Sequence, residues 1–185
     1  MTSIQKTLRV NKGQTLIELT FIFPIMVALL YGAIEVGSVI SDYLTITSTT
    51  REGANLTSRN TPPNTALDAI ITAAAPTIRS TNMAQWRIIY SKIIQNPGIP
   101  CPPKPCTYQV QSQIVRGNFA KTSKLGAVGG NVTVISGIGT IEPGQTFHAI
   151  EVYYNYAPDV MTYVGSSLIN TTFYDRTIFT NVSGT

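Results

Sequence analysis

Gly13 and Glu18 are the residues whose types and spacing speak most directly of chemistry. Gly13 follows a short basic leader carrying Lys6, Arg9 and Lys12, and it has no side chain to obstruct a protease. Glu18 stands near the start of a run that stays mostly apolar to about Ile40, with no charged residue from Leu19 to Ile34. A carboxylate at the centre of a bilayer costs about 2.5–3.5 kcal/mol on insertion scales. A chain that keeps one there needs a partner for the charge. The pattern is a basic leader, a glycine, four residues, a glutamate and then a hydrophobic helix.

Other residue types offer less. Cys101 and Cys106 are the only cysteines, and His148 is the only histidine. A metal site would need more ligands, and the spacing is not the Cys-x-x-Cys of a redox enzyme. There is no phosphate-binding glycine loop and no pair of carboxylates outside the membrane-helix region, so the reading is no enzyme and no cofactor. The formal charge of +4 comes largely from the leader: without Lys6, Arg9 and Lys12, ten basic residues face nine acidic ones. Basic residues beside an apolar run mark the cytoplasmic flank of a membrane segment. They do not form the basic, aromatic-interleaved patch of a nucleic-acid-binding protein.

The elements that position these residues follow from the pattern. A spanning helix needs about 20 apolar residues, so the run from about 19 to 40 suits an anchor better than a Sec signal, whose apolar core is about 7–15. Pro24 lies inside it and is tolerated where neighbours compensate. The helix is expected to continue to about residue 60, with Ile40, Leu44 and Thr47 on one face and Arg51 and Glu52 on a solvated surface. Glu35 lies about 25 Å beyond Glu18 along an ideal helix. It either snorkels at the opposite interface or makes a contact between subunits. The stretch Arg59-Asn60-Thr61-Pro62-Pro63-Asn64 breaks the helix, and Asn64 is expected to cap a short helix from Thr65 to about Ile78. Alternation from Trp86 to Gln95 reads as a strand, with others near 107–116, 131–135, 146–156 and 169–182. Residues 117–130 read as an exposed loop. The expected class is α+β: a long N-terminal hydrophobic helix, then a small antiparallel sheet with helical cover. The expected divisions are a leader at 1–13, the helix at 14–60 and an extracytoplasmic domain at 61–185.

Gly13 to Glu18 with the apolar run resembles a type IV prepilin signal. The resemblance implies cleavage between Gly13 and Gln14 by a prepilin peptidase, with Glu18 offsetting the new amine of a neighbouring subunit. Pro24, then Tyr31-Gly32-Ala33-Ile34-Glu35-Val36-Gly37, then Thr50-Arg51-Glu52-Gly53-Ala54-Asn55, resemble TadE-like proteins of tight-adherence (Flp/Tad) pilus systems. A later segment, Glu142-Pro143-Gly144-Gln145 through Glu151-Val152-Tyr153-Tyr154-Asn155-Tyr156-Ala157-Pro158, resembles their proline-glycine turn and valine-tyrosine strand. Gln14 stands where many type IV pilins have phenylalanine, and Leu19 where Tad prepilins often have tyrosine.

The resemblance implies a minor pilin or pseudopilin that supports pilus assembly and surface attachment. Its partners would be other pilin subunits, the prepilin peptidase, the inner-membrane assembly platform and the lipid bilayer, with no nucleic acid. It would sit in the cytoplasmic membrane by a single pass, sheet domain outside, and reach the surface pilus after assembly. Two other classes stay open: a major structural pilin, and a membrane-anchored binding protein that never polymerises. With the domain outside the cytoplasm, a Cys101–Cys106 disulfide is favoured. Closing so small a loop would contribute only about 2 kcal/mol, so its role would be to pin the hairpin connection.

Overall fold

The structure is a computed structural model and describes residues 4–78, 82–96, 107–132, 146–158 and 171–180, with side chains from residue 15 onward. Helix α1 runs unbroken from Ile4 to Ser58, through Gly13 and past Pro24. It stops in a left-handed cap: Asn60 has φ 64°, and the Thr61 amide donates to the Leu56 carbonyl. Asparagine tolerates this conformation better than most residues, and the bond satisfies a carbonyl that the helix end leaves open. Helix α2 (Pro63–Ala74) follows at once. Its N-cap residue is Pro62, and no side chain caps it. Asn64 is therefore not the cap. Its Oδ1 instead accepts from Arg116 Nη2 at 2.9 Å. Proline at the first helical position supplies the helical φ and lacks only an N–H that had no partner there.

Four strands form one antiparallel sheet in the order β2-β1-β3-β4: β1 Trp86–Gln95, β2 Tyr108–Arg116, β3 Thr146–Asn155 and β4 Thr172–Thr180. The β1/β2 ladder shifts register between Lys92 and Ile93. Of the expected strand at 131–135, Asn131 forms an isolated bridge with Gln109, and residues 133–135 lie outside the described residues. The long N-terminal apolar helix, the short second helix and the antiparallel sheet make the chain α+β.

Both faces of the sheet are covered, which explains why β3 is buried almost from end to end. The first face carries Trp86, Ile88, Tyr90, Ile150, Val152 and Tyr154, which pack with Ile46 and Ala54 of α1 and Leu67 and Ile70 of α2. Gly53 marks the closest approach: a Cβ there would meet Ile70 Cδ1 at 2.8 Å and Ile150 Cγ1 at 3.4 Å. The second face carries Ile93, Phe147 and Ala149, and Leu125 from the 117–130 segment packs on it. That segment is thus not merely an exposed loop, since Leu125 is fully buried. The chain enters it through Gly117, at φ 82°, where a Cβ would lie 2.2 Å from the Trp86 carbonyl oxygen. Only glycine fits that turn.

Candidate assembly surface

Helix α1 does two jobs on different stretches. From Thr15 to about Ile34 its side chains are exposed nearly all round, including Leu16, Phe21, Phe23, Met26, Leu29 and Leu30. The stretch is long and apolar enough to cross a membrane. So much open apolar surface needs lipid or other helices to cover it. Glu18 stands exposed on this stretch, one turn from its start. Gly13 and Gln14 lie within the helix, but their side chains fall outside the described residues, as do Cys101 and Cys106.

From Glu35 onward one side of α1 packs on the head domain. Glu35 is only 2% exposed, and the Tyr156 hydroxyl donates to its Oε1. This glutamate is therefore engaged within its own chain, at the level where helix meets sheet. Tyr43 packs edge-on against Phe173, with centroids 6.0 Å apart. Two turns higher, the Thr50 hydroxyl donates to Asp175 Oδ2 of β4. Sequence periodicity placed Ile40 and Leu44 together, but they face outward at 54% and 61% exposure. The inward set is Glu35, Val39, Ile46, Thr50 and Gly53. Polar members in this set hide it from a search for apolar spacing.

The Thr50–Asn55 motif divides accordingly. Thr50, Gly53 and Ala54 are buried against the head, while Arg51 and Glu52 are exposed. The latter two line an open cleft of about 700 Å³ on the outer flank of α1, together with Leu44, Thr47, Ser48 and Phe179.

On the second sheet face, Glu151 is fully buried, a residue the sequence did not single out. It accepts from the Ser123 hydroxyl, from the Lys124 amide at 2.9 Å and from the Tyr174 hydroxyl at 2.9 Å. The Tyr153 hydroxyl donates to the Thr122 carbonyl at 2.8 Å, and Lys124 Nζ sits 3.7 Å from the Tyr174 ring centroid. Burial, with the Glu151 charge beside them, pushes the Tyr153 hydroxyl up to about 12 and raises that of Tyr174 too. Both stay protonated and available as donors. The signal in the sequence was a lone carboxylate in a strand apolar on both faces. The network fastens 117–130 over the sheet.

His148 sits on β3 with Nδ1 2.9 Å from the Tyr90 hydroxyl, and its Nε2 is buried without a hydrogen-bond partner among the described residues. Burial lowers its pKa below 6.5, and Lys92 lowers it further. Burial pushes the Tyr90 hydroxyl up to about 12. Among the described residues no nucleophile or carboxylate joins this pair in a hydrogen bond, and the two rings pack 5.9 Å apart between centroids. Among the described residues no group of three or more His, Cys, Asp or Glu could hold a metal ion.

What the described residues present is an open apolar helix with one acidic residue within it, and a head fastened to the helix's second half. No curated protein and no solved structure matches the chain. Residues 13–55 match the family model described as TadE-like protein. That span begins at the expected processing glycine and ends in the Arg51–Asn55 motif, so it covers most of α1. Over this stretch of helix the chain is similar to TadE-like proteins.

Proposed function

We propose that this protein is a minor pilin or pseudopilin of a tight-adherence pilus, held in the cytoplasmic membrane by α1 before assembly and supporting assembly and surface attachment. The observation that carries the reading is α1 itself. Its first half is exposed on nearly every side, with the single carboxylate Glu18 five residues after Gly13. Its second half is clasped to a compact head through Glu35–Tyr156 and Thr50–Asp175. A helix of this kind can be lodged in lipid and then transferred into a bundle of like helices, because both environments cover apolar surface.

In this reading prepilin peptidase cuts between Gly13 and Gln14, and Glu18 meets the freed amine of a neighbouring subunit. The two charges leave water together and offset each other, which neither could do alone. Glu18→Ala tests it. Membrane abundance should be preserved, since removing a charge lowers the cost of insertion. Incorporation into the pilus should fall, since the neighbour's amine loses its counter-charge. Normal incorporation with normal piliation would favour a plain anchor instead.

A further inference from the structure

We propose that the outer flank of α1 is a parallel helix–helix interface with a second copy of this chain, closed by reciprocal Arg51–Glu52 pairs. Helical residues 41, 44, 45, 47, 48, 51, 52 and 55 line the flank cleft. Placing Ser41 at position a of a heptad puts them at a, d, e, g, a, d, e and a. These are the positions that form knobs and holes when two helices pack side by side. None falls at b, c or f. The buried residues Glu35, Ile46, Thr49, Thr50, Gly53 and Thr57 occupy b, f, b, c, f and c, with Ala54 at g and Ser58 at d buried as well. Up to Asn55 the helix thus spends mainly its b, c and f positions on its own head and leaves its a, d and e positions exposed or half-exposed.

Three further observations select a second copy as the occupant. First, the charges are self-complementary. Arg51 at d and Glu52 at e are both exposed. In a parallel in-register pair a d residue meets the e residue of its partner at the same height, so a two-fold axis along the helices pairs each Arg51 with the other chain's Glu52. Second, the seam runs on without a break into the apolar stretch. Ile34 and Leu30, at a and d, are 49% and 62% exposed, and they keep both helices in one bilayer in the same direction. Third, nothing lies within 4 Å of where a Cβ of Gly37 would stand. Gly37 is a d position, and glycine in a helix costs about 1 kcal/mol relative to alanine. Its own fold does not require that glycine, whereas close approach of another helix does. Asn55 at a is the kind of polar seam residue that fixes a parallel register. The Thr47 hydroxyl in the cleft wall also has no partner among the described residues.

The proposal rests on α1 being a membrane helix and does not depend on incorporation into a pilus. It is tested on the full-length chain reconstituted alone in lipid vesicles. Ser48→Cys, at a, is compared with Val36→Cys, at the exposed position c, and mild oxidation is followed by mass spectrometry of the linked peptides. Ser48→Cys should link to itself several-fold more than Val36→Cys. Adding Arg51→Glu should reduce the Ser48 cross-link about fivefold or more, as two modest ion pairs become repulsive. Adding Glu52→Arg to that variant should restore it. Helical content by circular dichroism identifies any variant that has failed to fold, and the Ser48-against-Val36 comparison then stands by itself. Equal linking at Ser48 and Val36 would overturn the proposal. So would a loss in Arg51→Glu that the charge swap does not restore, or a Ser48 cross-link found only to a different pilus protein in cells.

Discussion

Tyr156→Phe removes one atom from the junction between helix and head. The phenol of Tyr156 donates to Glu35 Oε1, and both residues are nearly inaccessible to water. The ring itself packs edge-on against Phe173, with centroids 5.9 Å apart, and the substitution keeps that contact. What is lost is one hydrogen bond to a buried carboxylate, worth about 1.5–3 kcal/mol when the charged acceptor cannot be rehydrated. For a chain of this size that corresponds to a fall in the melting temperature of roughly 3–12 °C. Glu35→Gln keeps an oxygen to accept the same bond, so it should cost less than Tyr156→Phe. The assay is thermal unfolding of the full-length protein in detergent micelles, followed by near-ultraviolet circular dichroism. Hydrogen exchange should locate the loosening at residues 35–44 and at the end of β3. The loss should appear in dilute, monomeric protein. If Tyr156→Phe leaves the melting temperature unchanged there, and weakens only subunit association, then Glu35 acts between chains and the clasp described here is wrong.

Three further outcomes follow from the head domain. Glu151→Ala strands the Ser123, Lys124 and Tyr174 donors; it should destabilise by about 2–4 kcal/mol and make 117–130 the first site of limited proteolysis. The His148 pKa in the folded chain is below 6.5, because burial and Lys92 oppose its charge. The unfolded state therefore binds the proton more readily, so stability is full above pH 6.5 and declines as pH falls below it. A melting series from pH 7.5 to 5 should show that decline in the parent and a shallower one in His148→Gln. Cys101 and Cys106 should be recovered as one linked pair by non-reducing peptide mapping of native material; free thiols in fresh preparations would count against the bond and the outward topology.

The sequence carried the architecture because its signals were local. Alternation in Trp86–Gln95, the turn signal ahead of Thr146–Asn155 and the apolar run after Glu18 depend on neighbours one to four residues away. The contacts that fasten the pieces were not legible, because they join residues far apart. Tyr156 reaches Glu35, Asp175 reaches Thr50, and Ser123 reaches Glu151. Periodicity grouped Ile40, Leu44 and Thr47 on α1 without saying which face meets the head, since Thr49, Thr50, Gly53 and Glu35 form much of the inward face and no apolar count selects them. Asn64 was a reasonable cap by residue type, but two prolines ahead of it let α2 begin two residues earlier. The 117–130 segment looked like solvent-facing loop because its anchor is a single leucine and a buried carboxylate on another strand.

The most direct test of the account is the composition of purified surface filaments. Filaments sheared from cells that assemble this pilus should contain the protein at a small fraction of the principal subunit, and its N-terminal peptide should begin at Gln14. Complete absence from filaments, or a chain there that still begins at Met1, would contradict the minor-pilin reading. A stoichiometry equal to the principal subunit would make it the major pilin instead.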